Sequence, residues 1–369
     1  NVAIGHSALV SANHADADGN VAVGYDALGD VTEGNDNIGI GKQSGYKITT
    51  GAANIAIGKN NFFDNNTTGD NNIGIGLTCC KAISSGTQNI AIGTSALKSN
   101  QTANNNVAIG YLAGEDCTVA DNTFLGTSAG KENTTGTYNV FVGASAGKDT
   151  TTGQHNTAMG YCALLTANHA DADDNSAFGL GALQNLTEGA ANVAVGKYAG
   201  SNITTGDNNV YVGKSSGASA VGVDNEIVIG QGITGKGTNT AFIGGTAGAY
   251  NGENDTAWNT TSDRRIKKNI VSNNNGLDLI NQLEVKNFEY KTEDEIKTDN
   301  PELSDVAKAA VVDKTGIQLG MIAQEVEAIL PNCVKTTNGV KSLNTTEMFF
   351  YMVNAIKELS AEVKALKAN

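Results

Sequence analysis

Asn89-Ile90-Ala91-Ile92-Gly93 is followed seventeen residues later by Asn106-Val107-Ala108-Ile109-Gly110, and this pairing decides how most of the chain folds. The same Asn-x-x-x-Gly unit runs from Asn20–Gly24 to Asn209–Gly213, its glycines mostly 17 apart with steps of 16, 18 and 19. Gly230 and Gly244 continue the series with altered flanks, as terminal coils of a stacked array do. Each unit joins a short alternating apolar stretch to a small-residue step such as Ser-Ala-Gly, then a turn such as Thr-Thr-Gly. Strands this short cannot stand alone. Stacked at about 4.8 Å, some fifteen coils make a rod of roughly 70 Å. The Val and Ile positions are expected to fill its interior, and Asn and Gly to occupy left-handed corners. One asparagine before each strand predicts a ladder of stacked amides. The expected fold is mainly β: a parallel β-solenoid (β-roll or β-helix) of about 17-residue coils over residues 1–250.

A longer period lies on top. Ser11-Ala12-Asn13-His14-Ala15-Asp16-Ala17-Asp18 returns as Thr166-Ala167-Asn168-His169-Ala170-Asp171-Ala172-Asp173, 155 residues on, so nine coils have been duplicated. The Asp-Ala-Asp pair lacks the further oxygen ligands of a calcium loop and reads as a longer solvated corner. Tyr25, Tyr111, Tyr161 and Tyr198 recur just after the strand glycine and are expected on the rod surface.

The totals set bounds. There are 45 glycines and two prolines in 369 residues, against about 7% glycine in ordinary proteins, which excludes collagen. The net charge of −14 divides unevenly: residues 262–369 carry 14 basic and 16 acidic side chains, leaving 10 against 22 before them. An acidic array repels phosphates, so nucleic acid is not an expected partner. No apolar run of about 18 residues exists, so no membrane insertion is expected. The five cysteines are irregularly spaced and the histidines lie apart from them, so no metal, disulfide framework or cofactor is expected. The chain opens in mid-repeat without Met and is expected to be a fragment or processed piece.

After residue 250 the repeat decays through a junction at 251–261, where the only tryptophan, Trp258, falls. A small α+β domain is expected over 262–369: a helix at Leu277–Leu283, a strand at Val285–Tyr290, and a polar excursion at 293–315. A second helix should end at Pro331, with Ile322, Val326, Ile329 and Leu330 on one face. The domain closes with a heptad helix over 345–367. There Phe349, Met352, Ile356, Leu359, Val363 and Leu366 alternate spacings of three and four, the seam of a self-associating coiled coil.

The repeats resemble the head repeats of trimeric adhesins and phage tail-fibre shafts. The C-terminal motifs are more specific. Ser-Asp-x-Arg-x-Lys-x-Asn-Ile at 262–270, Gly-x-Ile-Ala-Gln-Glu-Val…Pro at 320–331 and the closing Ala355-Ile356-Lys357-Glu358-Leu359 helix resemble the endosialidase-type intramolecular chaperone domain of phage tail spikes and fibres. The resemblance implies a homotrimer in which this domain guides folding of the shaft and then cuts itself off between Thr261 and Ser262. It implies Ser262 as nucleophile and Lys267 as base, a self-cleaving serine endopeptidase with a serine–lysine dyad acting once. Asp263, Asn269, Gln324 and Glu325 fall in the matching motifs as supporting residues. Lys267 must be neutral to accept a proton, which calls for burial or neighbouring positive charge. Five residues is no face-sharing interval, so the segment must turn or the lysine act across the trimer. The implied setting is a virion tail fibre or spike, assembled in the host cytoplasm, that meets a host cell-surface glycan or protein receptor. The competing reading is a bacterial trimeric surface adhesin whose C-terminal domain is a cap that does not cut. A glycan-degrading spike finds no paired carboxylates in one coil to support it.

Overall fold

In the computed structural model the described residues are 1–244, 249–252, 264–301, 316–337 and 339–368. The chain forms two compact units, Asn1–Thr261 and Ser262–Asn369.

The first unit is a solenoid. Its strands, from β1 (Val2–Ile4) to β15 (Thr240–Ile243), follow one another in sequence order within one sheet, each parallel to the next. The register repeats coil after coil, as in Ile90↔Val107, Ala91↔Ala108 and Ile92↔Ile109. A last strand, β16 (Ala249–Gly252), runs antiparallel to β15.

One expectation is reversed. From the second coil to the fourteenth each strand is three residues long, and it is the middle residue that points inward. Ala91, Ala108, Phe124 and Phe141 are fully buried, while the flanking Val and Ile side chains are half-buried or exposed on the outer face. The interior admits one residue per strand, whether small as Ala91 or large as Phe141.

That interior keeps its volume by exchange between two positions. In some coils a large strand-centre residue is paired with glycine at the corner six residues later, as in Phe124/Gly130 and Phe141/Gly147. In other coils a small centre is paired with a large corner, as in Ala91/Leu97 and Ala158/Leu164, whereas Ala108/Gly114 and Ala194/Gly200 are small at both positions and leave room for Phe124 and Tyr211 of the next coil. A Cβ on Gly147 would stand 2.4 Å from the Phe141 ring, so that corner must be glycine while Phe141 is present. The corner is left-handed even when it is not glycine, with φ of 46° at Leu97 and 48° at Leu164. The strand-end glycines have a different cause: Gly93 has φ 132°, and a Cβ there would meet the Gly110 carbonyl oxygen at 2.4 Å.

The amide ladder is present. Asn54 donates its backbone N–H to Asn37 Oδ1 at 2.9 Å, and its Nδ2 donates to the Gly69 carbonyl at 3.0 Å. The ladder ends in a buried carboxylate. Glu226 donates its N–H to Asn209 Oδ1 at 2.8 Å, and its own oxygens accept from Ser219 N–H at 3.1 Å and Gly237 N–H at 2.8 Å.

The second unit is α+β. Helix α1 (Leu277–Ile280) is followed by β17 (Lys286–Phe288), which pairs antiparallel with β18 (Gln318–Gly320). Between them stands α2 (Glu293–Asp299), where sequence analysis expected only an excursion. Its start is a capping box: Thr292 Oγ1 accepts from Glu295 N–H, and the Glu295 carboxylate accepts from Thr292 N–H. Helix α3 (Ala323–Ile329) buries Val326, and Pro331 opens a 3-10 turn after it. Ile322 is not on the helical face as expected; it is the extended N-cap residue. A hairpin, β19 (Val334–Thr337) with β20 (Val340–Leu343), leads into α4 (Thr345–Ala368).

Helix α4 has two distinct faces. Met348 and Ala355 are buried at 4% and 6% exposure, with Met348 in a core shared with Val326, Leu330 and Cys333. The heptad stripe faces away from that core: Ile356 is 68% exposed and Leu359 50%.

Candidate functional site

The segment after the candidate scissile bond does turn. Arg264–Ile266 form one 3-10 turn, and Lys267 N–H donates to the Arg264 carbonyl at 3.2 Å. Asn269 follows in the left-handed region at φ 55°. Among the described residues Lys267 and Asn269 are exposed. Thr261, Ser262 and Asp263 lie outside the described residues, as does Trp258.

The second motif stands on α3. Glu325 is held by Lys286 of β17 at 2.6 Å, and the same ammonium lies 3.3 Å from Glu284. The hydrogen bond to Glu325 above all holds the Lys286 ammonium protonated beyond its ordinary range. Gln324 is exposed beside it.

The path by which the chain leaves the candidate site was not legible in the sequence. Residues 271–276 form an exposed segment without regular structure until they meet α4 at Gly276, which is buried. Asn354 Nδ2 donates to the Asn273 carbonyl at 2.8 Å and to that of Asn275 at 3.3 Å. Glu358 Oε2 accepts from Leu277 N–H at 2.6 Å. A Cβ on Gly276 would lie 2.2 Å from Ala355 N, so only glycine allows the approach. The available signal was a pair of polar residues four apart on α4, away from the heptad stripe.

On the array, Tyr25, Tyr111, Tyr161 and Tyr198 are exposed, as expected. Lys42 lies 5.6 Å from the Tyr25 ring centre and Lys197 5.3 Å from that of Tyr198. The two duplicated corners share one geometry, with His14 Nδ1 3.3 Å from Asp16 Oδ2 and His169 Nδ1 3.3 Å from Asp171 Oδ2. Among the described residues no three His, Cys, Asp or Glu side chains are grouped to hold a metal ion. Among them, too, no helix is long and apolar enough to cross a membrane.

Comparison with known proteins supports the C-terminal motifs. Residues 262–335 match the family model described as Peptidase_S74, chaperone of endosialidase. A stretch of 121 residues is 31% identical to the long tail fiber protein Gp37 of Salmonella phage S16. That match covers 30% of this chain and 14% of the relative, so the chain spans a small part of that protein's length. No solved structure matches. The chain thus carries a chaperone-of-endosialidase domain behind a β-solenoid and is related to a phage long tail fibre.

Proposed function

We propose that this chain is part of a trimeric phage fibre whose C-terminal domain directs assembly of the solenoid and then frees itself by cutting between Thr261 and Ser262. The observation that carries the reading is a coincidence of boundaries: the family match begins at residue 262, where the second compact unit also begins.

The chemistry follows from the residue order. Ser262 Oγ attacks the carbonyl carbon of Thr261 while Lys267 Nζ takes the hydroxyl proton. The C–N bond breaks, the proton passes to the Ser262 nitrogen, and an ester joins Thr261 to Oγ. Water then hydrolyses the ester, leaving a carboxylate on Thr261 and a free amine on Ser262. Nucleophile and carbonyl are neighbours in the chain, so proximity supplies much of the rate. Lys267 is exposed in a single chain, which favours a neighbouring copy as the source of its desolvation.

Two surfaces support self-association. The α4 stripe is apolar and turned away from its own core. On the solenoid, outward Val and Ile side chains line the sheet coil after coil, exposing Ile40, Ile109, Val195 and Ile229 among others. A continuous apolar strip of this extent marks an interaction face. Copies of the same chain fit it, because they bring the same coil period. The outer corners remain to meet a host cell-surface glycan or protein, and assembly takes place in the host cytoplasm before the fibre joins the virion.

The test is the intact mass of the full chain beside Ser262→Ala and Lys267→Ala. The wild type should split into pieces of 261 and 108 residues and both variants stay whole. A cut Lys267→Ala chain would move the base elsewhere. A wild type that assembles and never cuts would end the cleavage proposal.

A further inference from the structure

Asn354 and Glu358 are one helical turn apart on α4, off the heptad stripe, and both side chains are half-buried against the segment that leads back to Lys267. Together they engage the backbone at Asn273, Asn275 and Leu277, and Gly276 seats that backbone directly on the helix at Ala355. The contact is level with Met352, Ile356 and Leu359, the middle of the stripe that other copies would cover. Asn273 is only six positions from Lys267, a reach of about 20 Å at full extension. The 3-10 turn at Arg264–Ile266 takes up chain beyond that point.

We infer that Asn354, Glu358 and Gly276 are positioning residues that strap the cleavage segment to the assembly helix, making self-cutting conditional on association of α4. The inference rests on the cleavage reading above and adds its control. A reactive segment tied at three successive backbone points searches a smaller volume than one tethered only by its sequence, and effective concentration rises accordingly. Association of α4 brings the straps of neighbouring copies side by side, so each Lys267 region is held near a partner copy. The strap uses neither the heptad stripe nor the buried Met348 and Ala355, so it can be loosened without removing the face that assembles.

The experiment uses the full chain, following the cleaved fraction by mass over time and the assembly state by light scattering. Hydrogen exchange at residues 273–277 reports the strap itself. Asn354→Ala/Glu358→Ala should assemble as the wild type does, lose protection at the Leu277 amide, and cut more slowly by about tenfold or more. Glu358→Ala alone should be slowed less, and Glu358→Gln should recover most of the rate because its amide oxygen still accepts from Leu277 N–H. Ile356→Asp/Leu359→Asp should neither assemble nor cut. An assembled double variant that cuts at the wild-type rate overturns the inference and leaves the cleavage reading intact. So does an unassembled stripe variant that cuts normally. Should the double variant fail to fold, the contrast between Glu358→Ala and Glu358→Gln decides, and equal rates overturn the strap. A wild type that stays whole overturns the cleavage reading and this control with it.

Discussion

The exchange of volume between strand centre and corner can be tested by moving a side chain from one to the other. Phe141→Ala removes a fully buried ring that stacks on Phe124 at 5.7 Å between centroids. A cavity of that kind costs about 3–5 kcal/mol. Gly147→Leu alone drives a side chain into the Phe141 ring, where even the Cβ would stand 2.4 Å away, and overpacking of this sort costs about 1–3 kcal/mol or more. The double variant recreates the Ala158/Leu164 arrangement of the next coil. It should lie within about 1–2 kcal/mol of wild type, the residue being the cost of a left-handed leucine. Urea unfolding, with hydrogen exchange read on residues 139–164, gives the double-mutant cycle. A double variant no more stable than the sum of the two singles would refute the compensation.

Asn106→Leu should cost about 1–3 kcal/mol, since it orphans the buried Asn122 N–H and leaves the Val119 carbonyl only the weak Cys117 thiol as donor; exchange at the Asn122 amide checks it. The Thr292 N–H and hydroxyl hold the exposed Glu295 carboxyl below its ordinary pKa. Because the folded value is the lower one, the capping box stabilises α2 fully above the unfolded carboxylate pKa and loses that contribution as pH falls through the folded value. An NMR titration should show α2 fraying in that window, and Glu295→Gln should remove the dependence. Burial pushes the Cys79 thiol up to about 12 and Cys117 to about 11, and raises Cys80 well above its ordinary value. Native alkylation should therefore label the half-buried Cys162 before these three, and early labelling of Cys80 would show that its coil opens.

The coil period, the amide ladder and the heptad helix were legible because each is a repeat, and repetition survives in sequence whatever the packing. The facing of the strands was not. Alternation in Ile90-Ala91-Ile92 marks two faces without saying which is inside. Helix α2 was passed over for want of an apolar stripe, although Thr292 and Glu295 carried its capping signal. The three C-terminal motifs pointed to the family later matched at residues 262–335. Asn354 and Glu358 escaped notice because their partners lie 79 to 81 positions away, beyond any local pattern.

The amide ladder bears on how such a fibre changes over generations. Each rung asks only for the backbone N–H of the next asparagine and a backbone carbonyl about 14 residues on, so a coil can be gained or lost without any distant partner registering the change. Reach then becomes adjustable in steps of about 4.8 Å, through unequal recombination between near-identical stretches of gene. The interior limits where a crossover can succeed. Gly114, whose Cβ would lie 2.6 Å from the Phe124 ring of the following coil, forbids a junction that pairs that ring with a leucine corner. Lineages of such fibres should thus differ by whole coils, with their breakpoints spaced away from the aromatic layers.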